Sequence, residues 1–411
     1  MTCQTREEFV KALGVTQMPE LFGVEFEKTM RIYDEQGVWF LQDGFVAQLQ
    51  EEFGIFRVKY DFVKKALKRV RENELLARYA LLLYEMQKAA HVELKEIKLK
   101  EYPHGAPESH ADYEMAALFS QLAFAPDIAA YHRAHGVPED VIEDTLNDCF
   151  ECGILVCNDC FDRDGCHPRC FGWNQLYINY KILRIGVLNF EMRNRFTSAA
   201  TVFGSRKGEY VVLANGQEIA PNGQMAESVG CTGVAYHADI IETDAYYEGH
   251  AADPVFAVYG EEPVRLDKNE WSVVLSENDP ILNVHIPSSV SITPENTEIA
   301  YRRAAEVVSA SFPEFCPKAF ACFSWLLDPQ LRDMLKPTSN VLAFQSRYQL
   351  FARKCDGMAV HSFLFRKPVT RIEDWVEDTS LQRTVKAHYL AGGYIYEPGG
   401  VFFDYILKEQ E

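Results

Sequence analysis

Apolar residues return every three or four positions through the first 160 residues, and after Gly172 they stop doing so. In ELLARYALLLYEMQKAAHVEL, Leu75, Leu76, Tyr79, Leu82, Leu83, Met86 and Ala90 fall on one side of a helix, because a period near 3.6 stacks residues three and four apart. Phe62, Val63, Ala66, Leu67 and Val70 make a second stripe, and Met115, Leu118, Phe119 and Leu122 a third. Short breaks such as YPHGAPES, Tyr102 to Ser109, separate them as connections in a helix bundle do. Beyond Gly172 the helical stretch WNQLYINYKILRIG leads into VLNFEMR, which alternates like a strand. EYVVLANGQEIAP then sets Asn215-Gly216 between two extended runs, a strong hairpin signal. A helix (PENTEIAYRRAAEVVSASF), a strand (KAFACFSWLL), a short helix (DPQLRDML), two strands (NVLAFQSRYQLF and MAVHSFLF), a helix (SLQRTVKAHYLAGG) and a strand around VFFDY are expected to follow. The pattern predicts an α+β chain: an all-helical N-terminal domain over 1–170 and a mixed α/β domain over 171–411.

Charge narrows the function. The formal net charge is -19, so a nucleic-acid partner is not expected, since a polyanion is repelled unless basic residues are gathered on one face. The one basic cluster, Lys64 to Arg71, reads as the wet side of a helix. No run reaches the roughly 20 apolar residues that a membrane span needs, and MTCQTREEF lacks the apolar stretch of a secretory signal. These features predict a soluble, cytoplasmic protein that does not bind membranes, in which the eleven cysteines are mostly thiols rather than disulfides.

Six of those cysteines lie in CFECGILVCNDCFDRDGCHPRC, Cys149 to Cys170. Upstream, Pro138, Glu139 and Asp140 suit a first helical turn, and Ile142, Thr145, Leu146, Cys149, Gly153, Val156, Cys157 and Cys160 continue one face at helical spacing. Cys149-x-x-Cys152 and Cys157-x-x-Cys160 have knuckle spacing, but the gap between them is too short for two knuckles around one ion. The spacing favours core cysteines and no metal. The alternative is a mixed site from Cys160, Cys166, His167 and Cys170.

No G-x-S-x-G, G-x-x-x-x-G-K-[ST], H-E-x-x-H or strand-linked G-x-G-x-x-G occurs, so the usual supports for hydrolase, NTPase, zincin and dinucleotide readings are missing. LNVHIPSSVSITPENTEIAYRR is the segment that suggests a ligand. A strand ends at Pro287, small hydroxyl residues follow, and Thr293-Pro294-Glu295 reads as an N-cap with proline at the first helical position. A strand, loop and helix start of this kind presents backbone N–H groups to a phosphate, with Arg302 and Arg303 a few turns on.

The runs EGHAADPVFAVYGEEPVRLDKNEWSVVLSENDPILNVHIPSS, FPEFCPKAFACFSWLLDPQL, SNVLAFQSRYQLF and TSLQRTVKAHYLAGG, together with RIGVLNFEMR and the helices from Leu75 to Leu146, resemble the bacterial two-domain acyltransferases. That resemblance implies a helical N-acyltransferase domain followed by a GNAT-like C-terminal domain. It also implies acetyl-CoA or another acyl-CoA as acyl donor and a small-molecule amine as acceptor. The donor would enter a splay between Leu282 to Ile286 and Lys318 to Leu326, held by Val284, Ile286, Ser288, Ser289, Thr293 and Arg302. The family's pyrophosphate loop, Q/R-x-x-G-x-G/A, is replaced by Ser288 to Thr293, which has no glycine.

Direct transfer from a thioester to an amine needs a base, an oxyanion donor and an acid for the leaving thiolate. The candidates are Glu191 as base, His285 as proton relay and Ser324 as hydroxyl donor. Cys322 with His285 would be the thiol alternative. A non-catalytic protein that binds an acyl-CoA or metabolite, or that senses metal or redox state through its cysteines, is the competing reading, and the oligomeric state stays open.

Overall fold

The computed structural model describes residues 5–99, 110–287, 290–365 and 371–406, with the side chains at 160 and 161 excepted. The chain forms two compact units, Met1–Ile185 and Gly186–Glu411. A boundary at 170/171 would fall within the helix Arg169–Ile178.

Among the described residues the first unit holds nine α-helices and the short strand Ile182–Ile185. Its helix Glu74–His91 exceeds the one-sided stripe expected of it: Leu76, Tyr79, Leu82, Leu83 and Met86 are buried, and so are Ala77, Leu81 and the polar Arg78, Glu85 and Gln87. A helix covered on all sides must pair its polar groups. Arg78 meets Asp34 at 2.7 Å and Glu74 at 3.0 Å, and Gln87 Nε2 donates to Ser120 Oγ at 3.1 Å.

The cysteine-rich stretch is part of a 23-residue helix, Glu139–Phe161. Ile142, Leu146, Cys149, Phe150 and Cys157 are fully buried along it. Gly153 lies where a Cβ would come within 2.6 Å of Cys166 Sγ and 3.0 Å of Cys170 Sγ, so the following helix packs against this position.

In the second unit five strands run in the order Leu188–Arg193, Ile281–His285, Ala319–Phe323, Gly399–Phe402 and Gln349–Phe351. Only the second and third are parallel, with Ile281 opposite Ala319 and Val284 opposite Cys322. The other pairings are antiparallel. Alternation along these strands makes two unlike faces. On one, Tyr301 of the helix Pro294–Ser311 packs its ring on Phe190, Phe320 and Phe402. On the other, Ile281, Ala319, Ala321 and Val401 share a core with Val202, Val212 and Ala214 from a second sheet of antiparallel strands.

Three local expectations fail. Asn215-Gly216 does not close a hairpin: Tyr210–Ala214 pairs with Ala200–Ser205, while Gln217–Ile219 pairs with Tyr236–Ala238. Gly216 does take the left-handed conformation at φ 66°, but Asn215 Oδ1 accepts from the Ile240 amide, and the turn passes the chain from one sheet to another. NVLAFQSRYQLF is a helix over Asn340–Gln345, capped where Ser339 Oγ accepts from the Val341 amide, before a three-residue strand. MAVHSFLF is also helical, over Met358–Val360 and His361–Phe365. Short apolar runs carry no period that separates strand from helix.

Tyr301 Oη and Tyr348 Oη share a 2.6 Å hydrogen bond in the core. Tyr301→Phe should cost about 1–3 kcal/mol by leaving a buried hydroxyl unpaired, and Tyr301→Ala about 3–5 kcal/mol by opening a cavity. Urea unfolding that ranks the two the other way would show that the ring is not what holds this helix to the sheet.

Candidate active site at the end of the parallel strand pair

The two parallel strands share a ladder only as far as Val284 and Cys322. One residue further, each is still paired on its outer side, His285 with Asn189 and Phe323 with Gly399. The strands therefore part at the position of His285 and Phe323.

Polar side chains collect on one side of this mouth. Asn283 and His285 stand at alternate positions of their strand and so on one face, and Asn283 lies opposite Glu191. Three N–H groups converge on a single oxygen, Glu191 Oε2: Arg193 Nε at 2.8 Å, His285 Nε2 at 2.8 Å and Asn283 Nδ2 at 3.0 Å. Asn283 Nδ2 and His285 Nε2 are themselves 2.9 Å apart, and a carboxylate between them accepts from both. Glu191 is 6% exposed. Burial alone would push its pKa up, but hydrogen bonds from His285 and Arg193 and the charge of Arg193 outweigh this and hold it at about 2. The carboxylate is thus ionised throughout the neutral range and too weak a base to take a proton from an ammonium. With Nε2–H directed at Glu191, the basic lone pair of a neutral His285 is on Nδ1, and the imidazole keeps a quarter of its surface exposed.

Ser324 directly follows the parting strands. Its hydroxyl oxygen accepts from the Leu326 amide at 3.2 Å and caps the turn Trp325–Leu327, which leaves its O–H to donate. Cys322 is not brought to His285. It lies in register with Val284, not with the alternate positions Asn283 and His285, and its thiol is buried and pushed up to about 12 by desolvation, far from the thiolate a nucleophile requires.

The residues expected to hold the donor divide. Val284 is buried in the ladder and Ile286 lies just past its end; Ser288 and Ser289 are outside the described residues. At the helix start, Thr293 Oγ1 accepts from the Asn296 amide at 3.2 Å. Pro294 has no N–H, so among the first three helical positions only the amide of Glu295 is left, on an acidic residue. Arg302 bonds Glu298 at 3.1 Å. This helix start is capped by its own chain. His167 Nδ1 accepts from the Arg169 amide, and with Cys166 it lines a cavity beside Tyr79, Tyr113 and Phe171. Among the described residues no three His, Cys, Asp or Glu side chains are grouped as metal ligands; the Cys160 side chain is outside them.

Arg193 and Asn283 were not among the sequence candidates. Their signal was present: polar residues two apart in otherwise apolar strands, as in LNVHIP and FEMR, must share a face with their neighbours' chemistry.

Residues 182–402 match the GNAT-like C-terminal domain and residues 47–179 the N-acyltransferase N-terminal domain. The chain belongs to the acyltransferase family built from these two domains, and it is an acyltransferase rather than a non-catalytic sensor. No curated protein matches its sequence. Among solved structures it is similar to an acyltransferase in complex with CoA and 10C-teicoplanin, with 16% identity, a TM-score of 0.61 and coverage of 97% of this chain and 98% of that one. It is also similar to an acyltransferase in complex with decanoyl-CoA, with 17% identity, a TM-score of 0.59 and the same coverages. At such identities the likeness is one of fold.

A carboxyl held at about 2 against 4.5 in the unfolded chain stabilises the fold fully above pH ~4.5 and progressively less as the pH falls toward 2. The advantage of wild type over Glu191→Gln in unfolding free energy should therefore shrink by about 3 kcal/mol from pH 5 to pH 2. A pH-independent difference in urea unfolding would mean that Glu191 is not held ionised.

Proposed function

We propose that this protein transfers an acyl group directly from an acyl-CoA to the amine of a small molecule, with His285 as general base. The observation that supports this reading is the Glu191–His285 pair, 2.8 Å apart, set at the point where the parallel strands separate. The neighbours of similar fold were solved with CoA, octanoyl-CoA and decanoyl-CoA, and one with teicoplanin beside decanoyl-CoA. The pantetheine arm enters beyond the last paired residues of the two parallel strands, Val284 and Cys322, as an added strand would.

His285 takes the proton from the acceptor ammonium at Nδ1, and the neutral amine attacks the thioester carbonyl carbon. Glu191 keeps its proton off and stabilises the imidazolium, the part an aspartate plays in a hydrolase triad. As the tetrahedral intermediate collapses, the C–S bond breaks, Ser324 Oγ passes its proton to the leaving sulfur and takes the second proton from the nitrogen, and His285 releases the first to solvent. No covalent enzyme intermediate forms, in keeping with the protonated, buried thiol of Cys322. The self-capped helix start at Thr293 is given no part in holding phosphates.

Acetyl-, octanoyl- and decanoyl-CoA should each be tested for raising the melting temperature, and then for thiol release with a panel of amines. His285→Gln should lower kcat by about 10²–10⁴ with the thermal shift kept. Glu191→Gln should lower kcat less, because it removes a positioning group and not the base. If His285→Gln turns over at the wild-type rate, His285 is not the base; if no acyl-CoA shifts the melting temperature, the donor is of another class.

A further inference from the structure

A second guanidinium lies at the mouth, and among the described residues no carboxylate is bonded to it. Arg353 follows the strand Gln349–Phe351 by two residues, and its guanidinium carbon sits 4.2 Å from the centroid of the Phe323 ring. Phe323 shares a face with Ala321, the residue opposite Asn283, so Arg353 is on the Glu191–His285 side of the sheet and not on the side covered by Tyr301. Its stem crosses Gly399, where a Cβ would come within 3.0 Å of Arg353 Cδ. A side chain at 399 would meet the Phe351 ring first and crowd the arginine stem as well. Among the described residues no carboxylate or carbonyl bonds its guanidinium. The nearby Glu397 makes no ion pair with it and is instead contacted by the Cys355 thiol.

Arg353 is half-buried, and a charge that loses part of its hydration gains from a bonded partner. Burial draws the Arg353 pKa down; the charge of Glu397 opposes this and that of Arg193 adds to it. Arg193 pairs with Glu191 through Nε and its charge reaches Arg353, so two cations flank one end of the mouth. A planar guanidinium stacked on an aromatic ring, its edge free, is suited to a bidentate oxyanion. Resting on the acyl-transfer reading above, we infer that Arg353, stacked on Phe323 and accommodated by Gly399, binds a carboxylate of the acceptor, which is therefore an amine that also carries a carboxylate. The same chemistry would suit a phosphate of the donor. The side of the sheet argues for the acceptor, because Arg353 shares it with His285, the proposed base that must reach the amine.

The full chain should be titrated calorimetrically with benzoate and with N-acetylglycine, each against its neutral amide. Wild type should prefer the carboxylates at least tenfold. Arg353→Met, which keeps the apolar stem, should abolish the preference, and Arg353→Lys should restore part of it while showing that the site folds. Acyl-CoA melting shifts should be the same in all three proteins. The inference is overturned if wild type shows no preference, or if the Met variant retains it. It is also overturned if the Met variant loses the acyl-CoA shift and not the carboxylate preference, since Arg353 then serves the donor's phosphates. A missing acyl-CoA shift in wild type would sink the acyl-transfer reading, whereas the carboxylate ratio would still be measured.

Discussion

A carboxylate with 6% of its surface exposed persists in the ionised state here because three N–H groups meet at one of its oxygens. Charges buried without such partners either neutralise or destabilise the fold. The arrangement joins the two strands carrying Glu191 and His285 through their side chains as well as their ladder. In the proposed reaction it assigns the carboxylate to orienting the imidazole, since so strongly stabilised a carboxylate does not accept a proton.

The same sheet keeps its two faces apart in function. Tyr301, Phe190, Phe320 and Phe402 make one face dry and tightly packed, and Cys322, in register with Val284, belongs to it. The thiol is buried there and remains protonated. Asn283, His285, Glu191 and the stacked Arg353 belong to the other face, where the ladder ends. Strand alternation alone, a period of two, sorts the apolar core residues from this polar cluster.

Much of this was legible in the sequence, for reasons that can be stated. Helical periodicity marked the N-terminal unit because a bundle repeats one pattern for many turns, and Thr293-Pro294 marked a helix start through its cap, which is present at 3.2 Å. Glu191, His285 and Ser324 could be chosen because acyl transfer asks for a base, a relay and an acid. The role of Glu191 was not legible. Its pKa depends on Arg193 and His285 reaching it together, and that is a matter of register between strands some ninety residues apart. Asn215-Gly216 misled because a left-handed glycine allows a turn without choosing which strands it joins. NVLAFQ misled because six apolar-rich residues fit either element, and the deciding cap, Ser339, lies outside the run.

The net charge of -19 bears on how an anionic donor approaches. In physiological salt, charges more than about 8 Å apart are largely screened, so the acidic surface as a whole matters less than the few groups at the mouth. Those groups are of both signs: Arg193 and Arg353 act on one another there, and Arg193 pairs with the ionised Glu191. At the start of the helix Pro294–Ser311 the balance is reversed, with Glu295 in the first turn and Arg302 already paired with Glu298. A glycine-rich loop would have brought bare amides to a phosphate at that point; Thr293 supplies its own hydroxyl to the Asn296 amide instead. Among the described residues this helix start therefore offers an anion only the Glu295 amide in its first three positions.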